Sequence, residues 1–200
     1  MSKYENPSRD REGAVPGACS VTEAQGGRPF PLAYLITFTC YGTRLHGNDT
    51  ESVDRDHNIP GTPFLTPNPS RLVAEEKRMK ERAYTLDNRR RAIVLDAIRT
   101  ACNRKTWRLL AVHVRRDHIH AVVAAQDTPE AILNRFKSYA SWALNRAGLD
   151  SGKGRRWTHH GSTRYLWSTQ HVRAAIEYVV RGQGKPMSVW ESGEPLPSKQ

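Results

Sequence analysis

Cysteine is scarce in this chain: Cys19, Cys40 and Cys102 are odd in number and widely separated. They make neither a disulfide framework nor a zinc-ligand cluster, which fits a reducing cytoplasm. Long apolar runs are missing as well. No stretch approaches the ~18 residues of a membrane span, and the charged N-terminus lacks the apolar core of a signal peptide. The expectation is a soluble cytoplasmic protein. Acid is in short supply: 20 Asp and Glu face 31 Lys and Arg, a net charge of +11. That excess points to a polyanion partner, nucleic acid by default, although a basic surface that is merely solvated gives the same count. The 200 residues suffice for one domain with a real core and leave little for a second.

What is present divides into alternating signals. Residues 1–30 are polar, rich in Gly, Pro and charge, and read as a tail. Tyr34 to Tyr41 is β-branched and aromatic, hence a strand. Residues 42–69 carry prolines, glycines, His46 and His57 without ligand spacing, and read as a long loop. Ser70 caps a helix to about Ala83. A second helix from about Asp87 to Arg104 places Ile93, Val94, Ala97, Ile98, Ala101 and Cys102 on one face. Leu109–Val114 and His118–Ala125 read as hairpin strands joined through Arg115, Arg116 and Asp117. Thr128-Pro129 opens a helix that closes at Gly148, followed by a Gly-rich basic linker, residues 150–154. Arg164–Trp167 is a short strand, and Val172–Arg181 a helix stopped by Gly182. From Pro186 onward Met187, Val189 and Trp190 offer docking side chains, and residues 191–200 read as a loose tail. Strand, helices, hairpin, helix, strand, helix is an α+β order; helices on one face of an antiparallel sheet, in a ferredoxin-like sandwich, is the simplest arrangement over residues 31–190.

The chemistry centres on Asp117-His118-Ile119-His120. Strand side chains alternate, so His118 and His120 share a face, and two such imidazoles can grip one divalent cation. Two exposed strand histidines with no ligand fit the same pattern. A metal beside nucleic acid suggests phosphodiester chemistry and calls for a nucleophile. Tyr139 falls on the apolar stripe of its helix with Ile132, Phe136, Ala140 and Ala143, and reads as packing. Tyr178 does not: the stripe of its helix is Val172, Ile176, Val179 and Val180. At about 100° per residue Tyr178 lies roughly 160° from Ile176, in line with His171, Ala174, Ala175 and Arg181.

These residues resemble the single-tyrosine HUH transposases of the insertion-sequence-200 type, in particular the REP-associated tyrosine transposases. The resemblance runs from roughly Leu32 to Trp190. It rests on Asp117-His118-Ile119-His120 with Val122-Val123, on Tyr165-Leu166-Trp167 after a helix, and on Ile176-Glu177-Tyr178-Val179-Val180. It implies a ferredoxin-like HUH fold, metal ligation by His118 and His120, and Tyr178 as nucleophile. It implies Mg²⁺ or Mn²⁺ as cofactor, single-stranded or hairpin DNA as partner, and a homodimer. The family carries a Gln or Asn one helical turn after the tyrosine; here that position is Gly182, and Gln183 follows. Gln183 reaches the metal only if the chain leaves the helix at Gly182. Arg115, Arg116, Arg135, Lys137, Arg155 and Arg156 are candidates for phosphate contacts. Trp157, Tyr165 and Trp167 are candidates for base stacking, or for the core.

Two other functions compete with DNA cleavage and strand transfer. One is a non-catalytic, domesticated binder of single-stranded or hairpin nucleic acid. The aromatic-rich octapeptide of RNA-recognition motifs is missing. The other is a two-histidine phosphoesterase, for which His160-Gly161-Ser162 supplies only one of the two motifs required.

Overall fold

A computed structural model describes residues 30–43, 73–74, 77–150 and 154–197. Residues 1–29 of the expected 1–30 tail, Cys19, most of the 42–69 loop, the expected cap Ser70, and residues 151–153 of the basic linker lie outside the described residues. The sheet is built from β1 (Ala33–Thr39), β2 (Arg108–Val114), β3 (His118–Ala124), β4 (Ser162–Leu166) and β5 (Ser188–Glu191). The helices are α1 (Asn88–Lys105), α2 (Pro129–Arg146) and α3 (Thr169–Val180). Strand order is β4-β1-β3-β2-β5, with every pairing antiparallel. The first six elements, β1-α1-β2-β3-α2-β4, make the split ferredoxin-like unit; α3 and β5 are added to it. Among the described residues no helix is long and apolar enough to cross a membrane.

Local chemistry explains the helix ends. Asp87 caps α1, its carboxylate accepting from the Arg90 N–H at 2.8 Å. The helix ends on Thr106 in the left-handed region, φ 54°, where Trp107 N–H reaches back to the Cys102 carbonyl at 3.0 Å. Thr128 caps α2 with Pro129 in the first turn, and Gly148 follows it at φ 65°. Ser168 caps α3. Residues 73–74 and 77–78 are helical, but Met79 to Asp87 is not, so the helix expected to reach Ala83 stops earlier. Tyr84 N–H is instead drawn to the Tyr41 carbonyl and Leu86 N–H to that of Arg116, both bonds incompatible with a helix.

The two sheet faces carry separate cores. Tyr34, Ile36, Phe38, Val112, Val114, Ile119, Ala121 and Val123 face α1 and α2, meeting Val94, Ile98, Ile132, Phe136 and Leu144. Cys40 and Cys102 are buried there as free thiols, burial pushing both pKa values up to about 12. The opposite face presents Ala33, Leu110, Ala111 and Val122 to Val172, Ala175, Ile176 and Val179 of α3. The helices thus cover both faces rather than one. The reason lies in α3: its own apolar stripe needs a surface, and the first face is already taken by α1 and α2.

The C-terminal segment also departs from expectation. Ser188–Glu191 pairs with β2, from Val114↔Ser188 to Ala111↔Glu191. Beyond it Ser192 N–H reaches the Leu110 carbonyl, Arg108 meets Glu194 and the Pro195 carbonyl, and Leu196 packs on the second core. The edge of β2 offers open backbone groups that this segment satisfies.

Candidate functional site: a histidine–tyrosine cluster on one sheet face

Strand register assembles the site. Thr37 pairs with His120 and Thr39 with His118, while His113 on β2 is the partner of His120. One row across the sheet therefore reads Ser162, Thr37, His120, His113 from β4 to β2. The ring centroids of His118 and His120 are 4.8 Å apart at 76°. Both rings are oriented by neighbours: Asp117 accepts from His118 Nδ1 at 2.6 Å, and Thr37 Oγ1 lies 2.8 Å from His120 Nδ1. Such outer partners fix ring direction and tautomer in metal-binding histidines.

Tyr178 meets this pair. Its side of α3 is turned from the core, the residue is 46% exposed, and its ring lies edge-on to His120 at 5.5 Å and 73°. The expected stripe holds for Val172, Ile176 and Val179; Ala175, placed with Tyr178 by sequence, is buried instead because α3 also packs on β2. Arg181 is ion-paired to Glu177 one turn away. Tyr139 is half-buried on α2, across the sheet from the histidines. It lines a cavity of about 400 Å³ with Thr100, Arg104, Ser138 and Trp142, under the Arg135 guanidinium at 5.9 Å.

His113 is the functional-face residue that sequence reading missed. Counting alternately from Leu109, which faces α1 and α2, would send His113 to that side too. A β-bulge between Leu109 and Ala111 inserts one residue and reverses the parity. The buried ring donates from Nδ1 to the Val179 carbonyl at 2.9 Å and accepts at Nε2 from the Met187 N–H at 3.2 Å. Burial holds its pKa below the ordinary histidine value, more than offsetting the Val179 bond. Val179 has one of the carbonyls that the last helical turn cannot satisfy internally. His113 thus ties the turn carrying Tyr178 to the approach of β5. The hairpin offered a signal: with Arg116 and Asp117 as its turn, position 113 falls opposite position 120.

His113→Leu keeps approximate volume and strands both partners. The expected loss is about 1–3 kcal/mol of stability, read as a lowered midpoint in chemical denaturation with an unchanged slope.

Gln183 is half-buried in the turn after α3, its amide N–H donating to the Tyr178 carbonyl at 3.4 Å. Gly182 shows why no side chain occupies the position before it: an added Cβ would sit 2.8 Å from the Tyr178 carbonyl oxygen and 3.2 Å from ring atom Cδ2. Among the described residues no group of three or more His, Cys, Asp or Glu side chains converges as a metal-binding cluster. The imidazole pair nevertheless fits a divalent cation as two neighbouring nitrogen donors that leave room for water and phosphate oxygens.

The expected DNA-binding residues separate into two groups. Arg116 and Arg155 are exposed; Arg115 is half-buried and donates to the Lys185 carbonyl at 3.2 Å. Arg135 is exposed on the helical layer across the sheet. Three others have structural roles. Lys137 Nζ donates to the carbonyls of Thr158, His159 and His160 at 2.8, 3.1 and 3.1 Å, which uses its three protons. Arg156 is 8% exposed and bonds Asp150 at 2.9 Å and Asn145 at 2.5 Å. Trp157 packs on the core, edge-on to Phe38 at 5.3 Å, with its indole N–H on Ser141. Asp150, read as part of a linker, is a hub for Tyr84, Arg90 and Arg156. Burial raises its pKa, but the bonds from these three outweigh that and hold it below the usual carboxylate range.

Fold and site together define a ferredoxin-like α+β protein with a histidine pair and a helix-borne tyrosine on one sheet face. The chain belongs to the IS200-like transposase family, whose model matches residues 77–180. Among solved structures it is similar to a REP-associated tyrosine transposase bound to a REP hairpin. That likeness has 11% identity and a TM-score of 0.43, over 81% of this chain and 72% of the other. A protein assigned as a transposase from Deinococcus radiodurans R1 is similar at 15% identity and TM-score 0.38, over 81% and 98%. No curated protein matches the chain significantly.

Proposed function

We propose that this transposase-family chain is a single-strand DNA endonuclease and strand transferase with Tyr178 as its nucleophile. One observation carries the reading: the Tyr178 ring lies against His120, itself beside His118, on one face of the sheet. Tyr178 Oη forms a bond to phosphorus while the P–O3′ bond breaks. The electron pair leaves on the 3′ oxygen, which takes up a proton, and the tyrosine proton passes to solvent. The product is a 5′-phosphotyrosine and a free 3′-OH. The covalent link conserves the bond for rejoining, so no nucleotide hydrolysis is needed. His118 and His120 would hold Mg²⁺ or Mn²⁺, which supplies charge stabilisation at the phosphate when bound. Asp117 and Thr37 keep both rings directed. The direct test is incubation with end-labelled single-stranded DNA and Mn²⁺: a covalent protein–DNA adduct supports the reading, and hydrolysis without adduct sinks it.

A second reading, a non-catalytic single-strand or hairpin binder, is favoured by the third ligand position. Gly182 carries no side chain there and Gln183 turns to the Tyr178 carbonyl. Binding with no adduct under any divalent metal would select it.

Arginine contacts to phosphate make affinity salt-dependent. For roughly four such contacts, binding to single-stranded DNA should weaken about fiftyfold between about 50 and 200 mM salt. A flat response in a titration by fluorescence anisotropy would show that the exposed arginines are only solvated.

A further inference from the structure

The site described above leaves two aromatic residues unexplained. Tyr165 and Trp167 are 44% and 43% exposed, their rings nearly parallel at 12° with centroids 6.0 Å apart. Packing accounts for only one side of the pair: buried Tyr34 meets Tyr165 edge-on at 5.2 Å and fixes it from behind. The pair belongs to the rim of the sheet, since among the described residues β4 pairs with β1 alone. Alternation along β4 sends Ser162, Arg164 and Leu166 to the histidine side and Tyr165 to the other. Arg164 is exposed, and Arg173 is exposed on α3. Between Asp150 and Glu177 the chain contains no Asp or Glu.

We propose that this rim is a stacking platform for unpaired bases of the DNA strand that enters the site. The inference rests on the single-strand reading above and adds to it the surface that holds the strand. A single strand has bases on one side and phosphates on the other. The β4 rim has flat aromatic faces on one side and Arg164 on the other, in a segment of the chain that itself carries no Asp or Glu. Every base has a face to stack, so the platform tolerates any sequence. Ser162, three residues from Tyr165 and so roughly 10 Å along the strand, is in the row of Thr37 and His120. A strand following the rim therefore arrives at the tyrosine site within a few nucleotides.

The test uses the full chain and two oligonucleotides of equal length, one with ordinary bases and one with abasic spacers in part of the strand. Wild type should bind the ordinary strand roughly tenfold or more tightly than the abasic one. Trp167→Ala and Tyr165→Ala should each lose roughly tenfold on the ordinary strand and almost nothing on the abasic one. Trp167→Phe should restore most of the loss, and the salt slope should stay at the wild-type value in all variants. Equal affinity of Trp167→Ala and wild type for the ordinary strand overturns the platform and leaves the tyrosine site standing. A variant that changes self-association in size-exclusion chromatography, with DNA affinity intact, overturns it as well, because the rim is then a contact between copies. If wild type binds neither strand, the platform falls together with the single-strand reading.

Discussion

Tyr178→Phe should bind single-stranded DNA with wild-type affinity and form no covalent adduct. The substitution removes one oxygen and keeps a ring that is half in solvent and edge-on to His120. Little stability depends on that oxygen, because the helix is held by Val172, Ile176 and Val179 in the core behind it. Cleavage by the proposed mechanism depends on it entirely. The expected loss of adduct is several orders of magnitude, as for removal of any covalent nucleophile. Tyr139→Phe is the matched control: half-buried on α2, across the sheet, it should leave the adduct yield unchanged. Mass spectrometry of the nucleotide-bearing peptide after digestion distinguishes the two. A nucleotide on Tyr139 would reverse the roles, and hydrolysis products with no modified tyrosine would restore the phosphoesterase.

His118→Ala and His120→Ala should each lower cleavage roughly 10²–10³-fold, the scale on which a lost transition-state stabiliser acts. DNA affinity should change little, since neither ring belongs to the exposed arginine surface. Excess EDTA should reproduce the loss in wild type, and added Mn²⁺ should reverse it. Thr37→Val and Asp117→Ala, which leave both imidazoles in place but remove their orienting partners, should weaken metal affinity about 10–100-fold and recover at high Mn²⁺. Full cleavage in either histidine variant, or in EDTA, would remove the metal from the proposed mechanism.

The parts of this protein that sequence alone determined are those governed by a short period or a local bond. A two-residue period puts His118 and His120 on one face wherever that strand lies. A 3.6-residue period turns Tyr178 away from Val172, Ile176 and Val179. Asp87, Thr128-Pro129 and Gly148 mark helix ends because a cap acts within one turn of itself. Tertiary structure decided everything that depends on which surfaces meet. His113 joined the site through a bulge that exists only in the pairing of β2 with β3. Ser188–Glu191 became a strand because the open edge of β2 had unpaired backbone groups to satisfy. Arg156 and Lys137 carry the same charge in the sequence as Arg116 and Arg155, yet Asp150, Asn145 and a run of carbonyls reach the first two and leave the second two at the surface. A charge has no period to betray its burial. Whether it meets DNA or the protein itself is set by partners far along the chain, and those come within reach only when the sheet has closed.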